Sequence, residues 1–362
     1  MKRTSCVIVG TAAIVSGLLW IAATNLAGQD GKPSAWTVPR TPWGHPDLEG
    51  IWDSKTITPM ERPAEAAGRE YLTDEEVAAL ERQAEARFST AIENSAGITL
   101  GGDRAERGTT RDVAQAYSPV FISVGTKYVR TKRSSLIIDP PDGKVPYSPA
   151  GREKVAAETA YRKALAAADL KLVVDMADGP EDRPTDRCTG FVLPCANFQC
   201  AFTRIVQGPQ SVAIYYEGGH VGGAYRTIPI DGRPHLPSNV REWYGDSVGR
   251  WDGDTLVVDT VNFTDWKNGN LTTSPLGFRG NGEQFHLVER FNRVGPDMIL
   301  YRVVIENPAL YTRPWTIELP WTQTDGKKNQ IFESACHEGN HGLTGILAGA
   351  RALEKEGARR SK

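Results

Sequence analysis

From about Thr203 onward the chain is a series of short apolar runs, many with a polar residue at every second position, divided by turn residues. Arg204–Gln207 breaks at Gly208-Pro209 and resumes as Ser211–Tyr216. Arg250–Asp259 carries Asp252-Gly253 between two apolar runs, a pair suited to a tight hairpin turn. Leu287–Arg293 and Met298–Glu306 flank Gly295-Pro296-Asp297, and Trp315–Thr322 and Gln330–Ala335 flank Asp325-Gly326. Successive hairpins predict an antiparallel meander, which hides its unpaired edges most simply by closing. The expected fold is mainly β: a barrel or strongly curved sheet, lipocalin-like, with a few peripheral helices and a C-terminal helix.

Other segments carry different periods. Thr73-Asp-Glu-Glu76 is a capping box opening the run Val77–Phe88, and Ser148-Pro149 supplies an N-cap and first-turn proline for an Ala-rich stretch to about Leu170. Tyr117–Asp139 alternates like strand and ends at the turn Pro140-Pro-Asp-Gly143. Residues 29–70, rich in Pro, Gly and Trp, show no sustained period and read as an extended segment. The organisation expected is residues 1–28 as a signal peptide or N-terminal anchor and 29–70 as that extended segment. Residues 71–202 supply helices and first strands, 203–356 a barrel core with a helix from about Gly342 to Glu356, and 357–362 a disordered basic tail.

The first stretch reads as an export signal, because Lys2 and Arg3 precede the apolar run Cys6–Ala23 and small residues follow at Ala27-Gly28. The run is also long enough for an uncleaved anchor. Export to the periplasm or beyond places Cys188, Cys195, Cys200 and Cys336 in an oxidising compartment. Their even number fits two disulfides, with one bridge expected between Cys336 and the 188–200 cluster. A formal charge of −2 over 362 residues creates no general attraction for nucleic acid or an anionic membrane. No glycine-rich phosphate or dinucleotide loop stands between a strand and a helix, so no organic cofactor is expected.

His337-Glu338-Gly339-Asn340-His341 matches the H-E-x-x-H signature of zinc proteases letter for letter. That chemistry needs both histidines one turn apart on one face of a continuous helix. Gly339 and Asn340 are poor helix interiors, Gln330–Ala335 reads as strand, and Asn340 is a good N-cap. His337 and Glu338 are therefore expected on a strand-to-helix turn, with His341 in the first helical turn. Such a turn either is structural or contributes acid/base groups at the barrel mouth.

The segments GHPDLEGIW at 44–52, 219–235, GDSVGRWDGDTLVVDTVNF at 245–263, YTRPWTIELPW at 311–321 and CHEGNHGLTGILAGAR at 336–351 together resemble a large family of secreted bacterial proteins. No general activity is established for that family. The resemblance covers about Thr41 to Arg351 and implies an export signal followed by one β-rich body.

Residues 215–246 hold the richest constellation of polar groups. Tyr216, His220 and Arg226, if they point inward, supply a proton donor, a base and an anion-binding fork to one cavity, with Asp246 as a partner for His or Arg. Alternatively, Arg226 pairs with Asp246 or Glu289 across the sheet. Catalytic candidates are thus His220, Arg226, Asp246, His337 and Glu338. Ligand-binding candidates are Tyr216, Tyr225, Glu289, Arg290, Arg313 and Trp315.

Two functions fit these residues. One is an enzyme that turns over a small organic molecule by cofactor-independent acid/base chemistry, as lyase, isomerase, cyclase or hydrolase. The other is a periplasmic binding protein in which the polar groups orient a ligand. A zinc-dependent hydrolase through His337, Glu338 and His341 is a third reading. The enzyme predicts several titratable groups converging in a cleft; the binder predicts a cavity with a few polar anchors.

Overall fold

The predicted alternation corresponds to a continuous antiparallel wall. The computed structural model describes residues 36–99, 125–166, 188, 193–194, 202–217, 224–264, 284–327, 331, 337–338 and 340–360. The strands are β1 (Gly50–Asp53), β2 (Ile137–Asp139), β3 (Phe202–Gln207), β4 (Ser211–Tyr216), β5 (Ala224–Pro229), β6 (Asp246–Asp252), β7 (Thr255–Val261), β8 (His286–Gly295), β9 (Met298–Glu306) and β10 (Trp315–Gln323). They pair in the order β5-β4-β3-β1-β10-β9-β8-β7-β6, and β2 adds to β10 beside β9. β6 to β10 is the meander expected from the turns. β1 then bridges β10 to β3, so a strand from the N-terminal stretch read as extended is part of the wall.

Nine strands nearly close a barrel, leaving one line, between β5 and β6, where no ladder forms. Side chains close that line instead. A Cβ on Gly249 of β6 would lie 2.8 Å from the Cγ2 atoms of both Ile228 and Ile230, so glycine is what lets the two strands approach. Alternation sets the inner face: Leu287, Glu289, Phe291 and Arg293 are buried on β8, while His286, Val288, Arg290 and Asn292 are not.

The lumen is packed solid at its centre. Phe291, Tyr301 and Trp321 interlock with ring centroids 4.9 to 5.6 Å apart, and Trp52 is fully buried, its indole nitrogen donating to the Leu48 carbonyl at 2.9 Å. Burying an aromatic side chain contributes about 1.5–3 kcal/mol. The barrel is thus held from within by aromatic packing at that level.

Among the described residues three α-helices accompany the barrel. α1 (Asp74–Thr99) opens on the expected capping box, with the Thr73 amide donating to Glu76 at 2.9 Å and the Glu76 amide to the Thr73 hydroxyl at 3.2 Å. α2 (Pro149–Ala166) starts where the Ser148 hydroxyl accepts from the Gly151 amide at 3.0 Å. α3 (His341–Arg360) starts after Asn340, whose side-chain oxygen accepts from the Leu343 amide at 3.3 Å. It runs past Glu356, so the basic residues expected as a disordered tail are helical to Arg360. Arg351 and Glu354 pair along it at 2.7 Å.

One strand expectation differs from the structure. Within Tyr117–Asp139 only Ile137–Asp139 is strand among the described residues; 125–136 form a loop that packs on β10 through Arg133 and Glu318. A strand over Gln330–Ala335 falls largely outside the described residues. No helix among those described is long and apolar enough to cross a membrane.

Candidate functional site

Two polar systems flank the open line between β5 and β6. The first is inside the barrel. Arg226 of β5 and Glu289 of β8 face each other through both Nη atoms, each 2.7 Å from a carboxylate oxygen, with side chains 5% and 1% exposed. The Tyr301 hydroxyl donates to Glu289 at 2.8 Å. Arg226 also donates to the Ser247 hydroxyl at 3.3 Å, and Ser247 pairs with Thr260 at 3.0 Å. The Arg226 guanidinium also lies 5.8 Å from the Tyr216 ring centroid, and its bonds to Ser247 and Glu289 stitch the wall across the seam. Burial pushes the Tyr216 and Tyr301 hydroxyls far above the ordinary phenol range, so both stay protonated. Arg226 is held charged by Glu289 despite its burial, which alone would oppose the charge. Of the two pairings open to Arg226, the structure shows the one with Glu289.

The second system is outside. The loop between β5 and β6 folds over the outer ends of β6 and β7, and His235 at its centre sits between two carboxylates. Its Nδ1 is 2.7 Å from Asp246 and its Nε2 3.0 Å from Asp259. Asp259 also meets His286 Nε2 at 3.2 Å, and His286 Nδ1 meets Glu306 at 3.2 Å. Five side chains thus form one chain, Asp246–His235–Asp259–His286–Glu306, all on the solvent side of four adjacent strands. Hydrogen bonding from His286 holds the Asp259 carboxyl below its ordinary value of 3.8, and Asp259 in turn holds the His286 imidazole above 6.5.

Between these systems the edge of β5, the start of β6 and the loop enclose a cleft of about 740 Å³. Tyr225, Trp243 and Tyr244 bring aromatic faces to it; Ser211 and Thr227 bring hydroxyls; Asp231, Arg233 and Glu242 bring charge. Tyr225 is 73% exposed, although its neighbour Arg226 is buried, because successive residues of a strand face opposite sides. Asp231 and Arg233 clamp each other at 2.7 Å, and the Arg233 guanidinium lowers the Asp231 carboxyl to about 2.

The other sequence candidates lie elsewhere. Arg290 points outward and meets Asp252 at 3.4 Å; Arg313 pairs with Asp139 on an exposed loop; Trp315 is fully buried, packed edge-on against Tyr311 at 5.5 Å. None of the three lines the cleft. His337 and Glu338 form an exposed turn before Asn340, and the helix begins at His341. The two histidines therefore do not share a continuous helix, the arrangement that the zinc-protease signature requires. Among the described residues no group of three or more His, Cys, Asp or Glu has the arrangement to hold a metal ion. His220, Cys195, Cys200 and Cys336 lie outside the described residues; Cys188 sits 3.6 Å from the Asn340 amide nitrogen.

His235, Asp259, His286, Glu306, Thr260 and Tyr301 are not among the sequence candidates. For Glu289 and Arg226 a signal was present: each shares strand parity with apolar neighbours, Leu287 and Phe291 or Ile228, and so belongs to the inner face. Nothing comparable marks His235, which lies in a loop without period.

Comparison with family models, curated proteins and solved structures finds no match to this chain.

Proposed function

We propose that the protein is an exported binding protein for a small, neutral, ring-bearing molecule with hydroxyl groups, held in the cleft between β5 and β6. The observation that carries this reading is the pairing state of the cleft. Asp231 is bound to Arg233, Asp246 to His235 and Arg226 to Glu289, so three of the charges that reach the cleft are already neutralised. A charged ligand would have to break those pairs, whereas a neutral one need not. Tyr225, Trp243 and Tyr244 supply flat apolar faces for ring C–H groups, and carboxylate and hydroxyl oxygens accept from ligand hydroxyls. Export rests on Lys2, Arg3 and the apolar run that follows.

The test is thermal stabilisation across a panel of neutral mono- and oligosaccharides and cyclic polyols, followed by titration of intrinsic tryptophan fluorescence. A ligand bound at 100 times its Kd stabilises the fold by about 2.7 kcal/mol. Tyr225→Ala should fold normally, since its side chain is exposed, and lose at least tenfold in affinity. Unchanged affinity in both Tyr225→Ala and Trp243→Ala would remove the cleft as the site.

One observation favours catalysis instead. A second cavity, about 390 Å³, is lined by Asp53, Lys55 and Tyr128 on the outer face near β1. Burial raises the Asp53 carboxyl above its ordinary value, and it raises that of Glu217, which feels the charges of both Lys55 and Asp53. Raised carboxyls beside a cavity are the groups that acid/base chemistry uses. Turnover abolished by Asp53→Asn but retained in Tyr225→Ala would establish the enzyme reading.

A further inference from the structure

The outer chain of imidazoles and carboxylates has more acceptors than neutral histidines can serve. A neutral imidazole carries one N–H, yet His235 faces a carboxylate at both ring nitrogens, and so does His286. Both contacts of each ring are hydrogen bonds only when the ring is an imidazolium. On losing a proton, one nitrogen turns a lone pair toward a carboxylate oxygen and a bond becomes a repulsion. The same residues fix the first half of the loop that walls the cleft, while Glu242 ties its second half to Asn262 and Thr264 through the backbone. Asp246 accepts from the Leu236 amide at 2.8 Å as well as from His235, and the Asn262 side chain donates to the Leu236 carbonyl at 2.9 Å. Trp243, Tyr244 and Arg233, which line the cleft, belong to this loop.

We propose that Asp246–His235–Asp259–His286–Glu306 is a proton-dependent latch, which holds the 231–245 loop on the barrel and so forms the cleft when the imidazoles are protonated, and releases it when they are not. The inference rests on the cleft being the binding site only for its consequence, ligand release at alkaline pH; the latch itself is a property of the free protein. The groups facing the two rings come from every strand beneath them: Asp246 from β6, Asp259 from β7, His286 itself from β8 and Glu306 from β9. Within the loop, Arg233 acts through space on Asp246 and is itself tied to Asp231.

The sign follows from those partners. Three carboxylates and two imidazolium rings leave the chain with one net negative charge, and losing both ring protons leaves three. His286 gains stability from protonation, so its share of the latch is complete below about 6.5 and is lost as pH rises through its higher value in the folded protein. At the acid end the share of Asp259 is lost as pH falls below 3.8 through its lower value in the folded protein. The cleft is therefore formed from mildly acid to neutral pH and loosens above it.

Amide hydrogen exchange on the full chain without ligand tests this directly, because exchange reports local opening. After correction for intrinsic rates, protection of the 231–245 amides should fall at least tenfold between pH 5.5 and pH 9, while β9 and β10 stay unchanged. His235→Gln, whose amide can donate to one carboxylate at any pH, should show intermediate protection that no longer varies with pH. His286→Gln should reduce the response without abolishing it. Nitrogen-15 shifts of the His286 ring should report both nitrogens protonated at pH 5.5. Equal protection at both pH values in the parent protein, a full pH response in His235→Gln, or a neutral His286 ring at pH 5.5 would each overturn the latch. If His235→Gln proves too unstable to measure, the ring shifts of the parent protein decide. A saccharide panel with no binder removes the cleft reading but leaves the exchange result standing, so the two failures are distinguishable.

Discussion

Removing the charge of Glu289 is the sharpest perturbation of the barrel interior. In Glu289→Gln, one side-chain oxygen can still accept from Arg226 Nη2 and from Tyr301, which sit 2.7 and 2.8 Å from Oε1. The new NH₂ group, however, meets Arg226 Nη1 where Oε2 stood at 2.7 Å, so two donors face each other. The guanidinium, 5% exposed, is left charged without a counter-ion, since Ser247 offers it only a hydroxyl. Breaking a buried pair from one side costs about 3–5 kcal/mol. At roughly 2 °C per kcal/mol for a protein of this size, the melting temperature should fall by about 6–10 °C. Replacing the whole set by apolar groups, Arg226→Met with Glu289→Leu and Tyr301→Phe, strands no charge; Ser247 keeps Thr260 as its partner, and the Tyr216 hydroxyl loses its bond to Arg226. That triple variant should return to within about 2 kcal/mol of the parent. Urea denaturation followed by far-ultraviolet circular dichroism measures both. A loss under about 1 kcal/mol in Glu289→Gln, or a triple variant less stable than the single one, would refute the reasoning.

Further outcomes follow from the same geometry. Gly249→Val should destabilise by more than about 2 kcal/mol by urea titration, because its side chain would overlap Ile228 and Ile230 where the seam has no ladder to yield. Thr73→Ala should cost about 1 kcal/mol and shorten protection at the start of α1, leaving the barrel amides unchanged in hydrogen exchange. Stability should form a plateau in pH. Asp259, lowered chiefly by hydrogen bonding from His286, contributes above about 3.8 and loses that contribution as pH falls through its lower value in the folded protein. His286, raised by Asp259, contributes below about 6.5 and loses it as pH rises through its higher folded value. In His286→Gln the alkaline shoulder of the urea midpoint should flatten.

The wall was legible because period-2 alternation and turn chemistry are local. Asp252-Gly253 sits at the β6–β7 turn with the glycine at φ +59°, and Gly208-Pro209 at the β3–β4 turn. Closure through β1 was less so, since Gly50–Asp53 is four residues long and too short to display a period. The turn before α3 was readable from Gly339 and Asn340, whose helix-breaking and capping chemistry outweighs a five-letter match. The site divides by the same rule. Arg226 and Tyr225 were both singled out, but their opposite faces are a matter of parity with Ile228. The pairing of His235 with Asp259 joins a loop to a strand 24 residues on, and no local pattern encodes that. Trp243 and Tyr244 line an opening while Trp315 and Trp321 fill the interior, and only the fold separates these aromatics.

The solid aromatic centre of the barrel has an evolutionary consequence. A container whose lumen receives the guest must change its own packing whenever the guest changes, and each such change risks the fold. Here Trp52, Phe291, Tyr301 and Trp321 are committed to one another, and the opening is walled largely by the segment between Pro229 and Asp246. Descendants of this sequence could reshape the opening by rewriting the exposed positions of that segment while inheriting the interior untouched.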